Sequence, residues 1–190
     1  HVVIMCNSEN DQARETQLLE LLASERVAGA LVTPAGGRNP GPGPQAGPPL
    51  VLLDLESPDH PCSVRVDHVE GARQAARHLI EFGHRRLAFI GGLADLGQFQ
   101  QRVVGMELAM AEAGLDPESL VVIRSEGINL ESGEASAARL LDMADRPTGV
   151  CCGNDMLAFG VYRALDRAGV RVPQDIALVG YDDVAFAANW

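Results

Sequence analysis

Residues 149–183 read GVCCGNDMLAFGVYRALDRAGVRVPQDIALVGYDD, and the fold class follows from this stretch. Gly149 to Cys152 is a short apolar run, the pattern of a buried strand. Asn154 is a good helix N-cap, and Asp155 suits the first helical turn, where a carboxylate complements the helix dipole. Leu157, Val161, Ala164, Leu165 and Ala168 then share one helical face. Gly169 follows as a left-handed stop, and Ile176 to Val179 is again an apolar strand. Strand, helix and strand in this order imply a parallel pair joined by a crossover helix.

The same unit recurs upstream. Val69, Ala72, Ala76, Leu79 and Ile80 share a helix face that stops before Gly83, and Leu87 to Ile90 follows as a strand. Phe99, Val103, Met106 and Met110 form a second face that reaches Gly114 and continues into Leu120 to Ile123. A further helix, Glu131 to about Met143, precedes the strand at Gly149. Parallel sheets in the α/β class result.

The first third is less regular. Val2 to Cys6 reads as a buried strand. Asp11 to Arg26 reads as a helix with Leu18, Leu21 and Leu22 on its apolar side. Gly29 to Thr33 and Leu50 to Leu55 read as further strands. Between them the proline- and glycine-rich stretch from Gly36 to Pro49 excludes helix and central strand and predicts an exposed loop. The segment after Leu55, through Pro58, Pro61 and the extended piece Ser63 to Val66, is the natural boundary between two lobes. The first lobe is too small for a doubly wound domain, and the chain opens at His1 directly before an apolar run. We therefore expect a fragment with material missing at both ends.

Composition narrows the chemistry. The chain has 190 residues and a formal net charge of -11, with 26 acids against 15 basic residues. Gripping duplex DNA needs a concentrated positive field, so these residues are not expected to hold DNA themselves. All 15 basic residues are arginine, which removes Schiff-base and P-loop lysines. Cys6, Cys62, Cys151 and Cys152 show no zinc or redox spacing, and the adjacent pair reads as buried small hydrophobes in a reducing compartment. No apolar stretch approaches the ~20 residues of a membrane span, and none resembles a signal peptide. His1, His60, His68, His78 and His84 show no ligand spacing, and the nucleophile-elbow, zincin and dinucleotide motifs are absent. We expect no metal, no cofactor and no enzymatic activity.

In open parallel sheets, ligands bind beyond the carboxyl ends of strands. Asp54, the pair Gly91 and Gly92, Asn154 with Asp155, and Asp182 with Asp183 fall there. Arg102 joins them from an early turn of the helix beginning near Gln98, where a cation opposes the helix dipole and needs another reason to be present. Each has a structural alternative: a cap for Asn154, an Asx turn for Asp182, an internal ion pair for Asp54. An Asp, Asn, Asp and Arg set without nucleophile or metal suits hydrogen bonding to sugar hydroxyls, since arginine can fork across two oxygens.

A series of short motifs carries a resemblance along nearly the whole chain. It runs through Val66-Asp67, Gly71-Ala72, Ala76, His78-Leu79-Ile80, Gly83-His84-Arg85-Arg86, Ile90-Gly91-Gly92, and Arg102 three before Gly105. It continues with Ala113-Gly114-Leu115, Gly153-Asn154-Asp155-Met156-Leu157-Ala158, Gly160, Val172-Pro173 and Val179-Gly180-Tyr181-Asp182-Asp183. In these residues the chain resembles the lactose/galactose repressor (LacI/GalR) family.

The resemblance implies two Rossmann-like parallel-sheet lobes of the periplasmic-binding-protein-like (type I) fold. Residues 1–66 would be a partial N-terminal lobe and 67–190 the C-terminal lobe, with the DNA-binding helix-turn-helix domain outside the chain. It implies a cytoplasmic transcriptional regulator, a repressor by family, that senses a small polar, sugar-like effector in the cleft and controls operator binding allosterically. By similarity Asp54, Arg102, Asn154 and Asp182 take the effector-binding positions, with Gln98 and Phe99 beside them. Ile128 stands where many members carry an aromatic platform. The family's homodimer contacts imply interface roles for Phe159 and Trp190, although ordinary core packing also explains Phe159. Operator DNA would be reached only through the missing domain. A transport-type solute receptor of the same fold is the alternative.

Overall fold

The computed structural model describes residues 2–37, 40, 47–55, 62–92 and 97–189. The chain divides into two compact units, residues 1–66 and 67–190.

In the first unit, α1 (Gln12–Ser24) precedes a parallel sheet of β1 (Ala30–Val32), β2 (Leu50–Leu53) and β3 (Ser63–Val64), in the order β1-β2-β3. Asp11 caps α1 by accepting the Arg14 N–H at 2.8 Å. Leu19, Val32 and Leu52 form the small core. Two expectations are corrected here. Residues 2–8 form no strand, and Val2 and Met5 are 91% and 93% exposed. A strand needs a ladder partner and a covered face, and no described residue supplies either to this run. On α1, Leu21 is exposed, and Leu19 and Glu15 point inward instead. The Glu15 carboxylate is satisfied there by the Ala35 N–H at 2.7 Å. The proline-rich loop lies largely outside the described residues, as do Pro58 and Pro61.

The second unit holds α2 (His68–Glu81), β4 (Leu87–Gly91), α3 (Gly97–Glu112), β5 (Val121–Arg124), α4 (Leu130–Leu141), β6 (Gly149–Cys152), α5 (Asp155–Arg167) and β7 (Ala177–Val179). Its four strands are parallel in the order β5-β4-β6-β7. Alternate residues of β4 and β6 face opposite layers. Ile90, Val150 and Cys152 pack with Leu140, Leu157, Val161 and Leu165 of α4 and α5. Leu87, Phe89 and Cys151 pack with Ala76, Leu79, Met106 and Met110 of α2 and α3. A sheet covered on both faces explains why these strands read as continuous apolar runs. Burial pushes the Cys151 thiol up to about 12 and that of Cys152 upward too, so the adjacent pair is inert filler divided between the layers.

The three glycine stops hold. Gly83, Gly114 and Gly169 have φ of 95°, 72° and 72°, the left-handed region that ends a helix. Close helix contact has its own glycines: a Cβ on Gly160 would sit 2.1 Å from the Leu130 carbonyl oxygen, and one on Gly133 would sit 2.4 Å from that of Leu157.

Candidate functional site

The chain runs from β4 to β5 on one side and places β6 on the other side of β4, so the strand order reverses between β4 and β6. Beyond the carboxyl ends of such a pair, successive loops turn to opposite faces and leave a crevice. Here the loops open with Gly91-Gly92 and Gly153-Asn154, and a Cβ on Gly153 would stand 3.2 Å from the Gly91 Cα. The helix after β4 delivers Arg102 to this point.

Arg102 is 5% exposed. Its Nη1 donates to the Gly153 carbonyl, and its Nη2 lies 3.2 Å from His68 Nδ1. The guanidinium carbon stands 3.7 Å from the centroid of the Tyr181 ring and 5.3 Å from that of Phe99. The cation near a helix start therefore finds its compensation in a carbonyl oxygen and two ring faces. Asp182 follows Tyr181 in the segment after β7, with φ of 108°. Desolvation raises its carboxyl above the ordinary carboxylate value, Asp155 adds to the rise, and Arg102 and His68 pull the other way.

Asn154 does two jobs. Its Oδ1 caps α5 by accepting the Leu157 N–H at 2.8 Å, and its Nδ2 donates to the Ile128 carbonyl at 3.0 Å. The structural alternative and a place beside the crevice thus coexist in one side chain. Ile128 itself is 45% exposed. Phe99 is buried against Phe89, with ring centroids 6.4 Å apart, and its ring occupies the space that Cβ atoms on Gly92 and Gly153 would need. Gln98 lies half-buried in the first turn of α3. Asp54 belongs to the first unit, where its N–H donates to the Val64 carbonyl at 2.9 Å and its Oδ1 accepts from the Val66 N–H at 3.1 Å. Phe159 is buried, with its ring centroid 5.0 Å from that of Phe186, and Trp190 lies outside the described residues.

The second unit thus brings Arg102, Asn154, Asp182 and Phe99 to the carboxyl ends of β4, β6 and β7. His68 and Tyr181 belong to the same cluster and carried no role in the sequence reading. Tyr181 lies within the motif Val179-Gly180-Tyr181-Asp182-Asp183, whereas His68 shows no signal until α3 is folded against α2. Among the described residues no group of three or more His, Cys, Asp and Glu is placed to hold a metal ion, and no helix is long and apolar enough to cross a membrane.

Residues 76–189 match the model of the periplasmic binding protein-like domain. The chain belongs to this family. Within the periplasmic binding protein-like family it resembles the HTH-type transcriptional repressor PurR of Photobacterium profundum, at 31% identity over 98% of this chain and 57% of that protein. The ribose operon repressor of Escherichia coli K12 is 36% identical over 98% of the chain and 57% of its own length. A crystal structure of a LacI family transcriptional regulator from Enterococcus faecium with bound ribose superposes with a TM-score of 0.84 at 26% identity, over 100% of this chain and 69% of that one. The chain thus has the periplasmic binding protein-like α/β fold of a LacI/GalR-type effector-binding core, and it spans 57% of the length of these curated repressors. Those relatives are repressors rather than enzymes.

Proposed function

We propose that this chain is the effector-sensing core of a cytoplasmic transcriptional repressor, and that its ligand is a small hydroxylated metabolite of the sugar or nucleoside-component class. The observation that carries the reading is the buried Arg102 guanidinium at the reversal point of the sheet, with Asp182 electrostatically coupled to it. A fork of N–H donors beside a carboxylate and the Asn154 amide offers both polarities that vicinal hydroxyls require. Ile128 offers an aliphatic rather than aromatic surface, which favours a compact, non-stacked ligand such as a pentose. The ribose bound by the Enterococcus faecium regulator is of this class.

The core would form a homodimer with Phe159 and Trp190 at its interface, and would reach operator DNA through a separate DNA-binding domain. Ligand and operator affinities would then be coupled reciprocally. Calorimetric titration of the full-length protein with pentoses and hexoses tests the site. One of these should bind, and Arg102→Ala should weaken it at least ~100-fold, as the loss of a buried charge-assisted pair requires. Unchanged affinity in Arg102→Ala rejects the assignment.

A further inference from the structure

Three separate elements converge on the Arg102 side chain. α3 carries it, the first residue of α2 is His68, and the segment after β7 supplies Tyr181. Tyr181 lies flat enough under the guanidinium for a carbon-to-centroid distance of 3.7 Å. It reaches that position across Gly71, where an added Cβ would fall 2.5 Å from the Tyr181 hydroxyl oxygen. His68 is 4% exposed and presents Nδ1 to Arg102 Nη2 at 3.2 Å. A guanidinium has donors only, so Nδ1 must be the acceptor, and the ring proton then sits on Nε2.

We propose that His68, as the neutral Nε2–H tautomer, and Tyr181 are positioning residues that hold Arg102 in its ligand-binding pose. The stack on Tyr181 fixes the plane of the guanidinium, and the Nδ1 contact fixes its rotation within that plane. Both must be fixed for a rigid fork to meet two ligand oxygens. The proposal rests on the reading of Arg102 as the effector-binding arginine.

Protonation of His68 removes the acceptor and sets an imidazolium against a guanidinium. Among the described residues, the groups that face His68 include Arg102 from α3 and Tyr181 with Asp182 from the segment after β7. Asp182 attracts the imidazolium, but Arg102 is in direct contact and loses its hydrogen bond as well, so protonation releases the fork. Effector affinity then falls with falling pH.

Two measurements on the full-length protein separate the pairing from its role. Ring-nitrogen NMR of the histidines, with His68→Asn for assignment, should show the Nε2–H tautomer at His68 and a mixture of tautomers in Arg102→Ala. An Nδ1–H tautomer, or a spectrum unmoved in Arg102→Ala, overturns the pairing. D-ribose is the binding probe. His68→Asn keeps an acceptor oxygen near the Nδ1 position and cannot titrate, so it should bind within about threefold of wild type. It should also lose most of the several-fold weakening that wild type shows between about pH 7.5 and pH 5.5. His68→Leu should bind at least tenfold more weakly with little change in melting temperature. Wild-type affinity in His68→Leu, or an unchanged pH profile in His68→Asn, overturns the positioning role. Absence of ribose binding to wild type counts against ribose as the effector, whereas the tautomer spectrum still decides the pairing.

Discussion

The carboxylate of Asp155, buried in the first turn of α5, accepts a hydrogen bond from the backbone N–H of Val184 at 2.9 Å. Its own N–H donates to the Tyr181 carbonyl at 2.8 Å. One residue therefore ties the start of α5 to both ends of the segment that carries Tyr181 and Asp182. Its neighbour Asn154 caps the helix, so the two side chains divide the labour of closing the helix start and anchoring the loop after β7.

Asp155→Ala should destabilise the second unit by about 1–3 kcal/mol, because it leaves the Val184 N–H without its acceptor in a half-buried place. Asp155→Asn retains an oxygen at the same position and should lose less. Urea denaturation followed by circular dichroism measures both, and equal losses would remove the hydrogen bond as the cause.

Gly160 and Gly83 should respond to alanine for different reasons. A Cβ on Gly160 would lie 2.1 Å from the Leu130 carbonyl oxygen, so Gly160→Ala must push α4 and α5 apart and cost about 2–3 kcal/mol or more. Gly83 has open space around it, but its φ of 95° penalises an L side chain by about 1–2 kcal/mol. Thermal melts of the two variants should rank in that order.

The Arg171–Asp175 clasp gives an acid-side signature. Arg171 Nε and Nη2 donate to the two carboxylate oxygens at 2.8 and 2.7 Å, and these bonds, with one from the Arg171 backbone, lower Asp175 from an ordinary 3.8 to about 2. A lowered folded-state value means that the contribution is fully present above the unfolded value and disappears as pH falls through the folded one. Carbon-detected NMR of the Asp175 carboxyl should titrate near pH 2, and Arg171→Ala should return it toward 3.8.

Thiol chemistry should divide the cysteines in two. Cys6 and Cys62 are exposed, while Cys151 and Cys152 are buried, with the Cys151 thiol pushed up to about 12. Brief iodoacetamide treatment near neutral pH should modify Cys6 and Cys62 alone, and all four after unfolding, as read by peptide mass spectrometry. Native modification of Cys151 would contradict the packing of β6.

Much of the second unit was legible in the linear pattern. Leu157, Val161 and Leu165 fall on the buried face of α5 that their spacing predicted, and Gly83, Gly114 and Gly169 end helices where they stand. The first third was less legible, because its signals were short. Val2 to Cys6 has strand composition but no strand neighbour among the described residues, and α1 buries Leu19 and Glu15 and exposes Leu21, whereas Leu18 and Leu22 of the expected face are half-buried. Glu15 can be buried only because the Ala35 N–H meets it, a partner twenty positions away that helical periodicity does not report.

Outside Val2 to Cys6, the sequence by itself determined the alternation of strands and helices, their limits to within a residue or two, and the family of the chain. Those properties live in spacings of two to four residues, where backbone geometry couples neighbours directly. The order β5-β4-β6-β7, and with it the crevice between β4 and β6, was decided by the tertiary structure, since strand order depends on which face each crossover helix covers. The surroundings of Arg102 were decided there too. His68 and Tyr181 stand far from it in the chain, and only the packing of α2 on α3 and the return of the chain after β7 bring an acceptor and a ring face to one guanidinium.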